Sequence, residues 1–473
     1  MALTITQRPL YPECAPVGQQ LMFTVADPVV VATEFKVKYV AEIHVSGQPI
    51  VLSPSSPSYI GTFKTTPNNK GVGIFDIRSV LETFLKPDYE GSSLSTFKSG
   101  ASEVAIPIHL IDFFSLSDNS IKYYAINFYT ESAATADDTD IVRSDAVPSL
   151  EFTIFNGVIQ YDEELTIQNG VFDGTINNYG FDLYPSFGAN LFLTNATAKF
   201  LTNAPTTQYA RLTDYGTLPF LNYLPASQFR VGWVTLTYYW DGGSSTETVA
   251  QTTTVGGATK YTGGAEEKIM YFGAFPGNLR YWSTAFNTAI TNGLTHYEIY
   301  TQTDAVTGNS SATYTINIVC PNERGYEGIR LTWLNQWGTW DYYTFNKKST
   351  KSIATKRTSY TQLGGTWNES TFKIAGYKGG KKNFRVNSTE KIKINTDFVT
   401  EAEGLWFEEL INSNEVYVLE GFQTDQTDSA LNNYVTPATL TTSSYVKKTI
   451  ANDKVMQYTF EIEKSKMKRT QAV

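Results

Sequence analysis

Short runs in which apolar residues take every second position recur along the whole chain. They include FTVADPVVVATEFKVKYVAEIHV (23–45), VAIPIHLIDF (104–113), QFRVGWVTLTYYW (228–240) and SATYTINIV (311–319). A period of two gives a strand one face for a core and one for water, whereas a helix needs a period near 3.6. Composition reinforces the pattern. Tyr (30) and Phe (28) supply most of an aromatic fraction of 14%, and Gly (34) and Pro (18) furnish turns. At 473 residues the chain exceeds one ordinary core. The expectation is a mainly β protein of β-sandwich or barrel-like modules with a few short helices. Three parts suggest themselves: an N-terminal β domain over 1–155, a central β domain over 156–319, and a C-terminal β domain over 320–473.

Two segments break the period. In DIRSVLETFL (76–85), Ile77, Val80, Leu81 and Phe84 share one helical face behind Asp76 as N-cap. In TEAEGLWFEELINS (400–413), Thr400 and Glu403 have capping-box spacing, and Ala402, Trp406 and Leu410 follow on one face. This predicts a helix near 401–412. Ser46-Gly47 reads as a tight hairpin turn, LFLTNATAKFLTNA (191–204) as a hairpin with similar arms, and the Gly/Thr/Ser-rich stretch 241–264 as a surface loop.

The densest aromatic run is IRLTWLNQWGTWDYYTF (329–345), with Trp333, Trp337, Trp340, Tyr342 and Tyr343. Ile329, Leu331 and Trp333 fall on one face of a strand, Asn335 to Gly338 supplies a turn, and Thr339 to Phe345 returns. The run reads as a packed hairpin, with Trp337 at its turn as the one ring left in solvent.

Catalytic and metal signatures do not emerge. His44, His109 and His296 stand alone in strand-like runs, and no zinc-type spacing or nucleophile elbow occurs. The paired acids Glu163-Glu164, Glu266-Glu267 and Glu408-Glu409 are adjacent, so their side chains diverge. Asp137, Asp138 and Asp140 offer hard oxygens but lack the rest of a calcium loop. No cofactor and no enzymatic activity are expected. Cys14 and Cys320, the two cysteines, read as unpaired thiols. The start MALTITQRPLYPE has neither a basic nor an apolar leader region, which suits synthesis in a cytoplasm. No apolar stretch reaches the length of a membrane span.

Charge is unevenly spread. The net charge is −9, yet the first 319 residues hold 16 Lys+Arg against 29 Asp+Glu, or −13. Residues 347–393 hold twelve basic and two acidic side chains, or +10. An acidic body with a basic segment can stack on copies of itself. Lys381, Lys382 and Arg385 are therefore candidate intersubunit contacts, with Trp337. Nucleic acid is the rival for this basic, aromatic-interleaved stretch, and the acidic total argues against it.

Several phrases, in order, resemble a group of tailed-bacteriophage virion structural proteins. At the C-terminal end they are RLTWLNQWGTWDYYTFNKKS, NTDFVTEAEGLWFEELINSNEVYVLEGF and NDKVMQYTFEIEKS. At the N-terminal end they are ITQRP, KVKYVAEIHVSG and GVGIFDIRSVLETFL, whereas the middle matches only in short pieces such as GNLRYW. The resemblance implies a structural component located in the virion and made in the host cytoplasm; tail, baseplate, collar and capsid surface all stay open, with the tail or baseplate region as the expectation. It would assemble with itself, as a ring or shell, and with other virion proteins. The alternative is a peripheral adhesin binding a host-surface receptor or glycan, for which Trp337 and Tyr343 are the candidate platform rings.

Overall fold

The computed structural model describes residues 3–9, 14–53, 55–91, 106–111, 114–160, 199–223, 231–250, 254–255, 258–259, 267–303, 311–319, 325–366, 370–422, 433–442, 444, 446 and 456–470. The chain is mainly β, in sandwich-like modules with a few short helices. Two compact units form. The first comprises 1–319, 334–341 and 421–432, and the second 320–333, 342–420 and 433–473.

The first unit begins with β1 (Thr4–Gln7), β2 (Cys14–Pro16), β3 (Met22–Ala26), α1 (Pro28–Thr33), β4 (Phe35–Ser46), β5 (Tyr59–Thr65) and β6 (Val72–Asp76). It continues through α2 (Arg78–Leu81), β7 (Phe114–Leu116), β8 (Ile121–Ala133), β9 (Val142–Arg143), β10 (Val147–Pro148) and β11 (Phe152–Phe155). Sheet β1-β3-β6 packs on sheet β2-β11-β8-β4-β5, with β9 and β10 also paired to β8. Phe23 joins the layers, meeting Phe128 at 5.5 Å, Phe152 at 5.8 Å and the edge of Tyr124 at 6.5 Å between ring centroids. Such rings bury large areas and favour tilted or edge contacts.

A second set of strands follows in the same unit: β12 (Thr207–Ala210), β13 (Thr217–Tyr223), β14 (Val231–Trp240), β15 (Gly243–Ala250), β16 (Thr254–Val255) and β17 (Ala258–Thr259). Then come β18 (Glu267–Gly273), α3 (Pro276–Trp282), α4 (Thr284–Thr291), β19 (Leu294–Thr303) and β20 (Tyr314–Ile318). Sheet β12-β20-β19-β14-β15 is five-stranded, and Phe286 of α4 packs against Tyr238 and Tyr297 on its inner face. β7 pairs with β18, Phe114 opposite Phe272 and Leu116 opposite Met270. The sequence division expected at 155/156 thus falls inside one compact unit, because a strand from each side shares a sheet.

The second unit is one seven-stranded sheet covered by a helix. Its strands are β21 (Ile329–Leu334), β22 (Trp340–Phe345), β23 (Thr350–Gln362), β24 (Gly380–Asn395), β25 (Val416–Leu419), β26 (Val435–Leu440) and β27 (Thr459–Lys464). The sheet order is β22-β21-β25-β26-β27-β24-β23. The helix α5 (Glu401–Asn412) starts at the reciprocal Thr400–Glu403 pair that the spacing predicts. Its buried side is Gly404, Trp406, Phe407 and Leu410, whereas Ala402 is exposed. Trp406 meets Trp333 at 4.9 Å, and Phe407 meets Tyr343 edge-on at 4.9 Å.

Several local expectations change. Pro28–Thr33 forms α1 instead of strand, since Pro28 suits a first helical turn and the Asp27 carboxylate accepts from Val30 N–H. Asp76–Leu85 yields only the one-turn α2 followed by a 3₁₀ turn at Glu82–Phe84. Ile108–Leu110 is likewise a 3₁₀ turn, and strand resumes at β7. Ser46-Gly47 closes no tight hairpin; residues 47–58 link β4 to β5. Among the described residues of 241–264, 243–250, 254–255 and 258–259 are strand: Asp241-Gly242 turns β14 into β15, with Gly242 at φ +85. The similar-armed hairpin at 191–204 lies mostly outside the described residues, as do Glu163, Glu164, Glu266 and Cys320. Among the described residues no helix is long and apolar enough to cross a membrane.

Candidate interaction surface

The aromatic run divides between two cores. Trp333, Tyr343 and Phe345 pack with α5 in the second unit, where Phe345 also meets Phe460 at 5.7 Å. Trp340, at the tip, belongs with the rest of 334–341 to the first unit. Its Nε1–H donates to the Asp88 carbonyl at 2.9 Å, and the His109 ring meets it edge-on at 4.9 Å. Trp337, expected in solvent, is only 2% exposed. Its N–H donates to Asn335 Oδ1, and the neighbouring Gln336 carbonyl accepts from Val158 N–H at 2.8 Å. Gly338, at φ +70, lies so close to the Asn156 carbonyl that no side chain would fit there. The turn is packed, and this removes Trp337 from the accessible contact residues. Tyr343 is part-buried within the ring cluster, so neither ring forms a platform.

The three histidines are held by packing. His44 Nδ1 pairs with Ser58 Oγ at 3.1 Å, and burial lowers its pKa despite the opposing pull of Glu42. His296 stacks on Tyr239 at 4.7 Å. Asp88 is buried, and its carboxylate accepts from Asp118 N–H, Asn119 N–H and Ser120 Oγ. Burial pushes its pKa up against those hydrogen bonds. No group of three or more His, Cys, Asp or Glu that could hold a metal occurs among the described residues, Asp137, Asp138 and Asp140 included.

Lys381, Lys382 and Arg385 share one strand, with the adjacent Lys381 and Lys382 on opposite faces. They lie at the start of β24, in a long hairpin with β23 at the edge of the second unit's sheet. β27 pairs with β24 only at Lys391–Asn395, and one further bridge joins Ser388 to Lys468. From Lys356↔Asn387 to Gln362↔Gly380 the hairpin has two strands and no third among the described residues. That two-stranded part spans about 23 Å at ordinary strand rise. Both of its faces are exposed, and its loop returns through Gly379 and Gly380 at φ +93 and +76.

The charges on this arm differ from base to tip. At the base, Lys347 pairs with Asp397, Lys351 with Glu327, and Lys391 with Glu461 and Glu463. Beyond it, Lys356, Arg357, Lys373, Lys381 and Arg385 have no ion-pair partner among the described residues, and Lys382 donates only to the Tyr377 carbonyl. Apolar side chains gather at the same end: Leu363 is 72% exposed, Tyr377 76% and Ile374 86%. Eight of the 26 exposed large hydrophobic side chains among the described residues lie within 353–386. A chain's exposed apolar side chains are usually scattered singly, whereas here they concentrate on the arm. Sequence reasoning located the charges but missed the apolar tip, which lacks any strand period.

Compared with known families and with curated proteins, the chain matches no family model and no curated sequence.

Proposed function

We propose that this chain is a structural component of a tailed-phage virion, in the tail or baseplate region. It is made in the host cytoplasm, assembles with itself and with neighbouring virion proteins, and has no catalytic role. The observation that carries this reading is the projecting β23–β24 arm. A two-stranded hairpin is marginal alone in water, and one bearing unpaired cations and exposed rings is suited to docking on another molecule. The ordered resemblance at both ends of the chain supports the same reading. Mass spectrometry of purified particles from a host lysate tests it: the chain is expected at many copies per particle. Its absence from particles, with the protein left in the lysate, overturns the reading.

One observation favours the adhesin as a second reading. The outer face of the central five-stranded sheet carries Trp233, the stacked Tyr239 and His296, and the exposed Tyr209. Rungs of Thr235 with Thr248 and Thr237 with Thr246 lie between them. Rings beside hydroxyls suit a sugar. Glycan-array binding lost on Trp233→Ala or Tyr209→Ala supports this face; no binding by the wild-type chain excludes it.

A further inference from the structure

We propose that the β23–β24 arm of one copy docks on the acidic edge segment 137–151 of a second copy. This rests on the assembly reading above and names the partner and the surface. Two independent properties of the arm must be matched: unpaired positive charge and exposed apolar side chains. Segment 137–151 offers both complements. It holds Asp137, Asp138, Asp140, Asp145 and Glu151 against Arg143 alone. Arg143 is already engaged by Glu42 and Glu131 within its own sheet. No ion pair reaches the four aspartates among the described residues. Between them Ile141, Val142 and Leu150 are exposed.

The backbone there is also suited to docking. β9 and β10 are two-residue pieces along β8, Val142 opposite Ser132 and Val147 opposite Phe128, so this border of the sheet is only partly paired. Edge strands of this kind are docking points unless covered. The arm would set its cations, Lys381, Lys382 and Arg385 foremost, against the aspartates, and its tip, Leu363, Ile374 and Tyr377, against Ile141, Val142 and Leu150. Repeated head to tail, the contact yields a ring or an open stack, and exchanged reciprocally between two copies it closes a dimer. Nucleic acid could satisfy the cations but offers nothing to Ile374 at 86% exposure or to the aspartates.

The test uses the full chain in sedimentation velocity at about 50 mM salt, where exposed charges are weakly screened. Two variants are made, Lys381→Glu/Lys382→Glu/Arg385→Glu and Asp137→Lys/Asp138→Lys/Asp140→Lys, both in exposed or part-exposed positions. Each alone is expected to weaken self-association about tenfold or more, and an equimolar mixture of the two to regain it. If the wild-type chain associates and neither variant changes it, the docking is wrong while the assembly reading stands. Weakening by both without recovery in the mixture means that arm and segment have different partners, which also overturns the docking. Retention of an oligo-dT strand, lost on the arm variant with association unaltered, assigns the arm to nucleic acid and overturns it as well. A wild-type chain that stays monomeric removes the docking, and particle composition then decides the assembly reading separately.

Discussion

Trp340 donates its indole N–H to the backbone carbonyl of Asp88, 2.9 Å away in space and 252 residues away in sequence. The Asp88 carboxylate in turn accepts from the 118–120 turn that starts β8. One ring thus ties the tip of a late hairpin to the N-terminal sandwich. Trp340→Phe keeps most of the packing but strands the carbonyl, and should cost about 1–3 kcal/mol. Trp340→Ala adds a cavity and should cost about 3–5 kcal/mol. Urea unfolding of both variants checks the order.

In the second unit the covering helix depends on ring packing. Trp406 is 3% exposed and sits at 4.9 Å from Trp333. Trp406→Ala should therefore destabilise that unit by about 3–5 kcal/mol. Hydrogen exchange should show α5 and β21 losing protection together, with the β1–β6 region unaffected.

The start of that helix gives a smaller, separable effect. Thr400 Oγ1 accepts from Glu403 N–H, and the Glu403 carboxylate accepts from Thr400 N–H at 2.7 Å. Thr400→Ala should cost about 0.5–2 kcal/mol, and Thr400→Asp should restore most of it. Comparing the urea midpoints of the two variants at pH 7 decides this.

His44 makes stability depend on pH. Its folded pKa is lowered from the ordinary 6.5, chiefly by burial. The unfolded chain therefore binds more protons below that value. Stability from this group is present above about pH 6.5, falls as the pH drops through it, and levels off below the lowered folded pKa. His44→Gln should flatten the stability profile of the sandwich below about pH 6.5. An unchanged slope would mean that His44 titrates alike in both states.

Where the sequence could be read and where it could not follows from range of interaction. Alternation marks the strands at 35–46 and 231–240 because side-chain period is a local property of the residues, although Tyr39 to Val45 is buried on both faces. The Thr400–Glu403 pair marks a helix start for the same reason, its partners being three positions apart. Trp337 and Trp340 could not be placed this way. Their surroundings, Asn156 to Val158 and Asp88 with His109, are distant in sequence, and a turn with a Gly reads as exposed when its packing partners are unknown. The joining of β7 to β18 is equally non-local. On the arm, Lys381, Lys382 and Arg385 stood out as charge, but only the pairing pattern separates the neutralised lysines at the base from the unpaired ones beyond it.

If the arm is an assembly element, the mass of the wild-type chain in solution depends on concentration and salt. Sedimentation velocity over a concentration series, at low salt and at about 1 M salt, where the screening length falls to about 3 Å, suffices. Species at multiples of 52.7 kDa are expected, growing with concentration and dissociating as salt rises. A single 52.7 kDa species at every concentration and in both salts would contradict that role for the arm.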